Sequence, residues 1–173
     1  MDVMVDLETL GTTPGCVILS IGAVAFDRRA GSLEAEFYVN LDPASCEESG
    51  LRVNPQTVEW WSRQSAEARA ALETGQVPLA QALADFTAFF RSVGGRTIWG
   101  HGATFDPPVL EAAYRVLGLN PPWKYWAVRD TRTLYELADV APDRNQGVHH
   151  NALADALSQA RAACRAFEKL LPA

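Results

Sequence analysis

The residues best equipped for chemistry in this chain are carboxylates. Asp6 and Glu8 lie two apart in Val3-Met4-Val5-Asp6-Leu7-Glu8-Thr9, a run with the composition of a β-strand. Residues i and i+2 of a strand share a face, so Asp6 and Glu8 project together with Met4, while Val3, Val5 and Leu7 point the other way. Two such carboxylates repel unless water or a cation lies between them, although the exposed end of a strand carries such a pair as readily. Asp106 falls where a short strand meets the next helix, the position at which ligands gather in open α/β sheets. Pro107-Pro108 behind it equally suits a helix start with Asp106 as its cap. The third element is His149-His150-Asn151-Ala152-Leu153-Ala154-Asp155. In a regular helix His150 and Asp155 would lie about 140° apart. With Asn151 as N-cap, however, His150 precedes the cap and Asp155 is the fourth helical residue, and these two positions approach each other at a helix entry. A histidine there is otherwise an ordinary surface or packing residue.

The elements that must position these groups follow from periodicity and turn chemistry. Residues 3–7, 17–26 and 36–41 read as three strands separated by turns at 12–15 and 28–31, an antiparallel meander. Asn54-Pro55 caps a helix through residue 62. Leu79, Leu83, Phe86 and Phe90 recur at helical spacing over residues 78–92. A strand over 97–99 leads to a helix over 105–116, closed by Gly118. A strand over 126–128 leads to a helix over 131–138, with Asp130 as its cap. A loop over 141–148 precedes a last helix over 152–170. This order predicts an α/β fold: one mixed five-stranded sheet with helices on its faces, forming a single domain across residues 1–173.

Composition narrows the function. Of 173 residues, 48% are hydrophobic and 21% charged, which is globular and excludes disorder, collagen and coiled coil. No apolar run approaches the roughly 18 residues of a membrane helix, and no basic leader with an apolar segment opens the sequence, so a cytoplasmic location is expected. Cys16, Cys46 and Cys164 are scattered without metal-ligand spacing and read as buried or idle thiols. The formal charge is −6. Residues 1–50 hold nine acids and two bases, while residues 101–173 hold eight of each. Such a chain is a poor candidate for gripping duplex DNA by neutralising many phosphates. It suits a small site that holds cations on carboxylates.

In order, D-x-E on a first strand, F-D opening a helix and H-x-x-x-x-D opening the C-terminal helix resemble the DEDDh 3′–5′ exonuclease family of the ribonuclease-H-like superfamily. The matching blocks are Val5-Asp6-Leu7-Glu8-Thr9, Gly102-Ala103-Thr104-Phe105-Asp106 and His150-Asn151-Ala152-Leu153-Ala154-Asp155. Flanks such as Ile21-Gly22-Ala23-Val24, Val58-Glu59-Trp60-Trp61 and Arg129-Asp130-Thr131-Arg132-Thr133-Leu134 are similar to the subgroup of exodeoxyribonuclease VIII, a phage DNA exonuclease and a mycobacterial 3′–5′ exoribonuclease. His101 departs from the Asn that relatives more often carry, which leaves its role open.

The resemblance implies a ribonuclease-H-like fold and two Mg²⁺ or Mn²⁺ ions. Asp6, Glu8 and Asp155 would hold the first ion, Asp6 would bridge to the second, and Asp106 would act directly or through water. His150 would be the general base. The substrate implied is the 3′ end of single-stranded RNA or DNA, RNA slightly favoured, released as nucleoside 5′-monophosphates, with a homodimer as the family's common assembly. Thr9, Leu10, Trp61 and Phe105 are the expected substrate contacts. Trp60 and Trp61 are about 100° apart on a helix and cannot share a face, so one is expected in the core, and the other is either exposed to stack on a base or packed as well. Arg63, Arg129, Arg132 and Arg144 are candidates for phosphate contact, and residues 144–147 are expected to form a flap over the substrate. Three alternatives remain open: a histidine-independent ribonuclease-H-like endonuclease, a non-catalytic nucleic-acid-binding module, and a zinc protein using His101, His149 and His150.

The H-x-x-x-x-D register separates two neighbours. His150→Ala should lower single-turnover cleavage by about 10²–10⁴-fold at saturating metal while leaving metal binding nearly intact, and His149→Ala should be mild. A dead His149→Ala enzyme would place the helix start elsewhere.

Overall fold

A computed structural model describes residues 1–143 and 151–171. The expected meander is β1 (Asp2–Thr9), β2 (Ile18–Asp27) and β3 (Ser32–Asn40). Two short strands, β4 (Thr97–Gly100) and β5 (Val128–Asp130), complete one five-stranded sheet of order β3-β2-β1-β4-β5. β2 is antiparallel to β1 and β3, whereas β4 runs parallel to β1 and β5 parallel to β4. The mixed five-stranded sheet with helices on its faces is therefore as expected. From β1 the chain moves outward to β2, and from β4 it moves the opposite way to β5. The direction of winding thus reverses between β1 and β4, which opens a crevice at their C-terminal ends.

Among the described residues the helices are α1 (Pro43–Glu48), α2 (Pro55–Ser62), α3 (Ala66–Leu72), α4 (Leu79–Ser92), α5 (Asp106–Val116), α6 (Thr131–Ala138) and α7 (Ala152–Leu170). Helices α1 and α3 were not anticipated. The first has six residues and the second buries only Ala68 and Leu72, so neither carries a helical hydrophobic period to read. The strand expected over 126–128 is corrected. Residues Tyr125–Ala127 form a 3₁₀ turn, and β5 starts at Val128. Trp126, at the start of the expected strand, is 63% exposed, so its β-propensity has no pleated surface to act on. No described helix is long and apolar enough to cross a membrane.

The alternation of β1 divides the core. Val3, Val5 and Leu7 face α4 and α5 in one apolar cluster. Met4 faces the other way, with Val24, Phe26 and Trp99, against α6 and α7. The start of β1 carries a buried acid that is fully compensated. Asp2 accepts from Arg28 Nε at 2.7 Å and Trp99 Nε1 at 2.9 Å, and also from Thr97 Oγ1. Burial alone would raise its carboxyl, but these donors and the Arg28 charge outweigh it and hold the group below its usual range.

Helix α7 lies unusually close to the sheet. Apart from Gln159, every residue that it buries is Ala or Cys, and small side chains let helix and sheet backbones approach. At Gly22, opposite Asp6 on β2, a Cβ would lie 2.2 Å from both the Ala152 carbonyl carbon and the Leu153 nitrogen. Those are backbone atoms at the first turn of α7, so nothing can move aside cheaply. Gly22→Ala should therefore destabilise the protein by about 1–3 kcal/mol or more through overpacking, read from denaturant unfolding, and should displace the Asp155 turn from β1.

Candidate active site

The C-terminal end of β1 is where the carboxylates meet. Strand alternation places Asp6 and Glu8 on the Met4 face, as expected, and α7 crosses that face. Asn151 is the N-cap of α7: its Oδ1 accepts from the Ala154 N–H at 3.0 Å, and this fixes Asp155 in the first turn. Carboxylate oxygens of Asp6, Glu8 and Asp155 all lie within 4.8 Å of one another. A register shift between Glu8 and Thr9 breaks the ladder to β2 at this point, a feature that re-aims side chains at strand ends.

Asp106 arrives from the other layer. Phe105 takes the cap position of α5 and Asp106 is the first helical residue, so Asp106 is not the cap that Pro107 allowed it to be. Its carboxylate instead reaches across the crevice, where Oδ1 accepts from the Leu7 N–H at 3.2 Å. The β1–β4 ladder runs only as far as Met4 and Trp99, so Asp106 satisfies a main-chain donor that the sheet leaves behind. The approach depends on Gly100, where a Cβ would lie 2.7 Å from Pro107 Cδ and 3.1 Å from Asp106 Oδ2. Asp106 is not one of the three groups whose ligand oxygens converge.

The electrostatics of this cluster invert those of Asp2. Asp6 is pushed well above the ordinary carboxylate range by burial first, then by the charges of Asp106, Glu8 and Asp155. Glu8, 8% exposed, is raised to about 8 by burial and then by Asp155 and Asp106. Asp106 is raised to about 7 by burial, against the pull of the Leu7 and His101 main-chain N–H groups and the Arg132 charge. No ion pair reaches Asp6, Glu8 or Asp106 among the described residues. Desolvated, mutually repelling carboxylates fit a divalent cation, and an all-oxygen donor set fits a hard one. Asp6, Glu8 and Asp155 are the groups that would hold it.

Around the cluster, Thr9 is buried and its hydroxyl donates to the Gly11 carbonyl at 2.6 Å, while Leu10 and Phe105 are half-buried. Trp61 is the inward tryptophan, 6% exposed, and its Nε1 donates to the Thr9 carbonyl at 2.9 Å, so it anchors the strand end rather than offering a face. Trp60 is the exposed one, with its ring edge-on to Trp61 at 5.1 Å. Asp130 caps α6 as expected, accepting from the Arg132 N–H at 3.0 Å. His101 Nδ1 pairs with Thr131 Oγ1 at 2.9 Å, which ties β4 to α6. His149, His150 and the expected flap at 144–147 lie outside the described residues. Sequence reasoning missed Gln159, whose Nε2 donates to Asp6 Oδ1 at 2.8 Å. Its signal was a lone polar residue on the otherwise alanine-lined face of the last helix.

The mixed sheet and its winding reversal are a fold that this chain shares with solved exonucleases, a DEDDh family member among them. The chain belongs to the family described as the 3′-5′ exoribonuclease Rv2179c-like domain, which matches residues 1–167. It is 26% identical to an exodeoxyribonuclease of Enterobacteria phage T4, over 78% of this chain and 70% of that one. Among solved structures it resembles the nuclease domain of 3′hExo, a DEDDh family member, bound to rAMP. There the TM-score is 0.62 at 15% identity, over 96% of this chain and 91% of that one. It also resembles exonuclease X in complex with 5′-overhanging duplex DNA, with a TM-score of 0.59 at 17% identity over 99% and 93%. E. coli exonuclease I bound to single-stranded DNA matches with a TM-score of 0.64 at 16% identity, over 99% of this chain and 41% of that longer one.

Raised carboxyl groups make stability depend on pH in a definite direction. Each such group contributes stability fully present below its unfolded value, about 4, and lost as pH rises through the folded value. For Asp106 and Glu8 those folded values are about 7 and about 8. Metal-free protein should therefore melt at progressively lower temperature as pH rises from 6 to 9. Mg²⁺ or Mn²⁺, which bind the ionised forms, should restore more of the melting temperature at pH 9 than at pH 6. Thermal melts with chelator or metal across that range check both slopes.

Proposed function

We propose that the protein removes nucleotides one at a time from the 3′ end of single-stranded nucleic acid, RNA in preference to DNA, and releases nucleoside 5′-monophosphates. The observation that carries this reading is the convergence of the Asp6, Glu8 and Asp155 oxygens within 4.8 Å at the open end of β1. The preference for RNA is supported by the exoribonuclease family to which the chain belongs. The phage relative, an exodeoxyribonuclease, is the reason DNA stays within the substrate range.

Two Mg²⁺ or Mn²⁺ ions, when bound, would supply charge stabilisation at the attacked phosphoryl group and at the leaving 3′ oxygen. Asp6, Glu8 and Asp155 would hold the cations. Asp106, fixed by Leu7 at the crevice wall, completes the acidic set. His150 accepts the proton of the attacking water, a task suited to a side chain that titrates near neutrality. Four carboxylates and two divalent ions sum to zero, so an anionic strand meets no net repulsion at the reacting centre. Leu10 and Phe105, both half-buried, would meet the terminal sugar and base, and the exposed face of Trp60 would offer a sequence-tolerant stacking surface.

Single-stranded RNA and DNA labelled at either end separate this reading from its rivals. With Mg²⁺ or Mn²⁺, 3′-labelled strands should release labelled mononucleotide at once, and 5′-labelled strands should shorten stepwise. RNA should be cleaved faster than DNA, and a chelator should abolish both reactions. Internal fragments from either label would make the protein an endonuclease. Full activity after exhaustive chelation would remove the cation from the reaction.

A further inference from the structure

Gln159 stands one helical turn beyond Asp155 on α7, so both side chains point toward the sheet. It is 7% exposed, its Nε2 donates to Asp6 Oδ1 at 2.8 Å, and its Oε1 has no hydrogen-bond partner among the described residues. A buried amide with an unmet acceptor opposes folding, and an aliphatic side chain of similar size would fill the same space without that penalty. Packing therefore does not account for a glutamine on a face otherwise lined by Ala and Cys.

What the amide delivers is an uncharged donor to one oxygen of Asp6. The contrast with Asp2 on the same strand is instructive. There the donors include the Arg28 guanidinium, and the carboxylate is neutralised where it sits. A cation at 159 would do the same to Asp6 and would compete with a metal ion. Glutamine restrains the carboxylate and leaves its charge intact. The residue is itself held at its backbone: the Tyr135 hydroxyl of α6 donates to the Gln159 main-chain carbonyl at 2.6 Å. The Tyr135 ring packs on His101 with centroids 5.9 Å apart, and His101 is fixed to Thr131. A continuous path thus runs from the end of β4 through α6 to the amide on α7.

We propose that Gln159 is a positioning residue of the cation site, restraining Asp6 in its ligating orientation as a neutral donor, with Tyr135 setting the position of Gln159. The proposal rests on the cation-dependent nuclease reading above. Positioning partners of metal ligands are commonly worth 10–100-fold in metal affinity.

The test is Mn²⁺ binding to the full chain without substrate, by calorimetry, alongside single-turnover cleavage as a function of Mn²⁺ concentration. Gln159→Leu should melt near or above the parent without metal, bind Mn²⁺ about 10–100-fold more weakly, and need a correspondingly higher Mn²⁺ concentration for half-maximal cleavage. Tyr135→Phe should shift Mn²⁺ affinity in the same direction by a smaller factor. A Gln159→Leu chain with parental Mn²⁺ affinity overturns the proposal. One that melts far below the parent without metal makes the amide structural and overturns it equally. Failure of the parent itself to bind Mn²⁺ removes the cation site as a whole, and that result is read in the parent alone.

Discussion

Three carboxylates held within a few ångströms of one another, largely out of water, with no ion pair to either member of the β1 pair among the described residues, are the constraint around which this molecule is built. The arrangement opposes folding, because every approach among these groups raises the free energy of the ionised state. β1 shows both solutions to a buried acid. At its start, Asp2 is surrounded by donors and a guanidinium and is a structural carboxylate. At its end, Asp6 has an amide and three other acids around it. The difference is one of unmet charge, and that unmet charge is what a divalent cation supplies. Perturbed acids gathered in a crevice mark function for this reason.

Assembling the cluster is a problem of backbone approach. β1 sits between β2 and β4, and its outer residues must be reached by helices on both faces of the sheet. Two glycines make the contact possible. Gly22 lets the first turn of α7 lie on β2, and Gly100 lets the start of α5 fold over the end of β4. Asp155 and Asp106 stand in the first turns of those two helices. The carboxylates therefore sit near positive helix ends, which offsets part of their mutual repulsion. Rigid strands and helix starts hold the groups, a more exact mount than loops would provide.

The surroundings maintain that geometry through hydrogen bonds that do not neutralise it. Trp61 grips the Thr9 carbonyl next to Glu8. The Leu7 N–H grips Asp106, and Gln159 grips Asp6. Each contact uses a neutral donor or acceptor, so the position of the acids is set while the negative field is kept. The His101–Thr131 pair extends the same scaffold to α6.

Much of this was legible in the sequence, because the governing periods are short. Strand alternation alone places Asp6 and Glu8 on one face. Asn151 as N-cap alone sets the register of Asp155, and helix α6 (Thr131–Ala138) and helix α7 (Ala152–Leu170) follow from their caps and apolar spacing. Tertiary structure decided what depends on contacts between residues distant in the chain. Which tryptophan turns inward follows from the Thr9 carbonyl 52 residues away, and no local period encodes that. Whether Asp106 caps its helix or reaches across the crevice depends on an N–H that β4 leaves unpaired. The link from Gln159 to Asp6 spans 153 residues and exists only because Gly22 lets the last helix touch the sheet. Local propensity fixes which way a side chain leaves its own backbone, but only the packed fold determines what it meets.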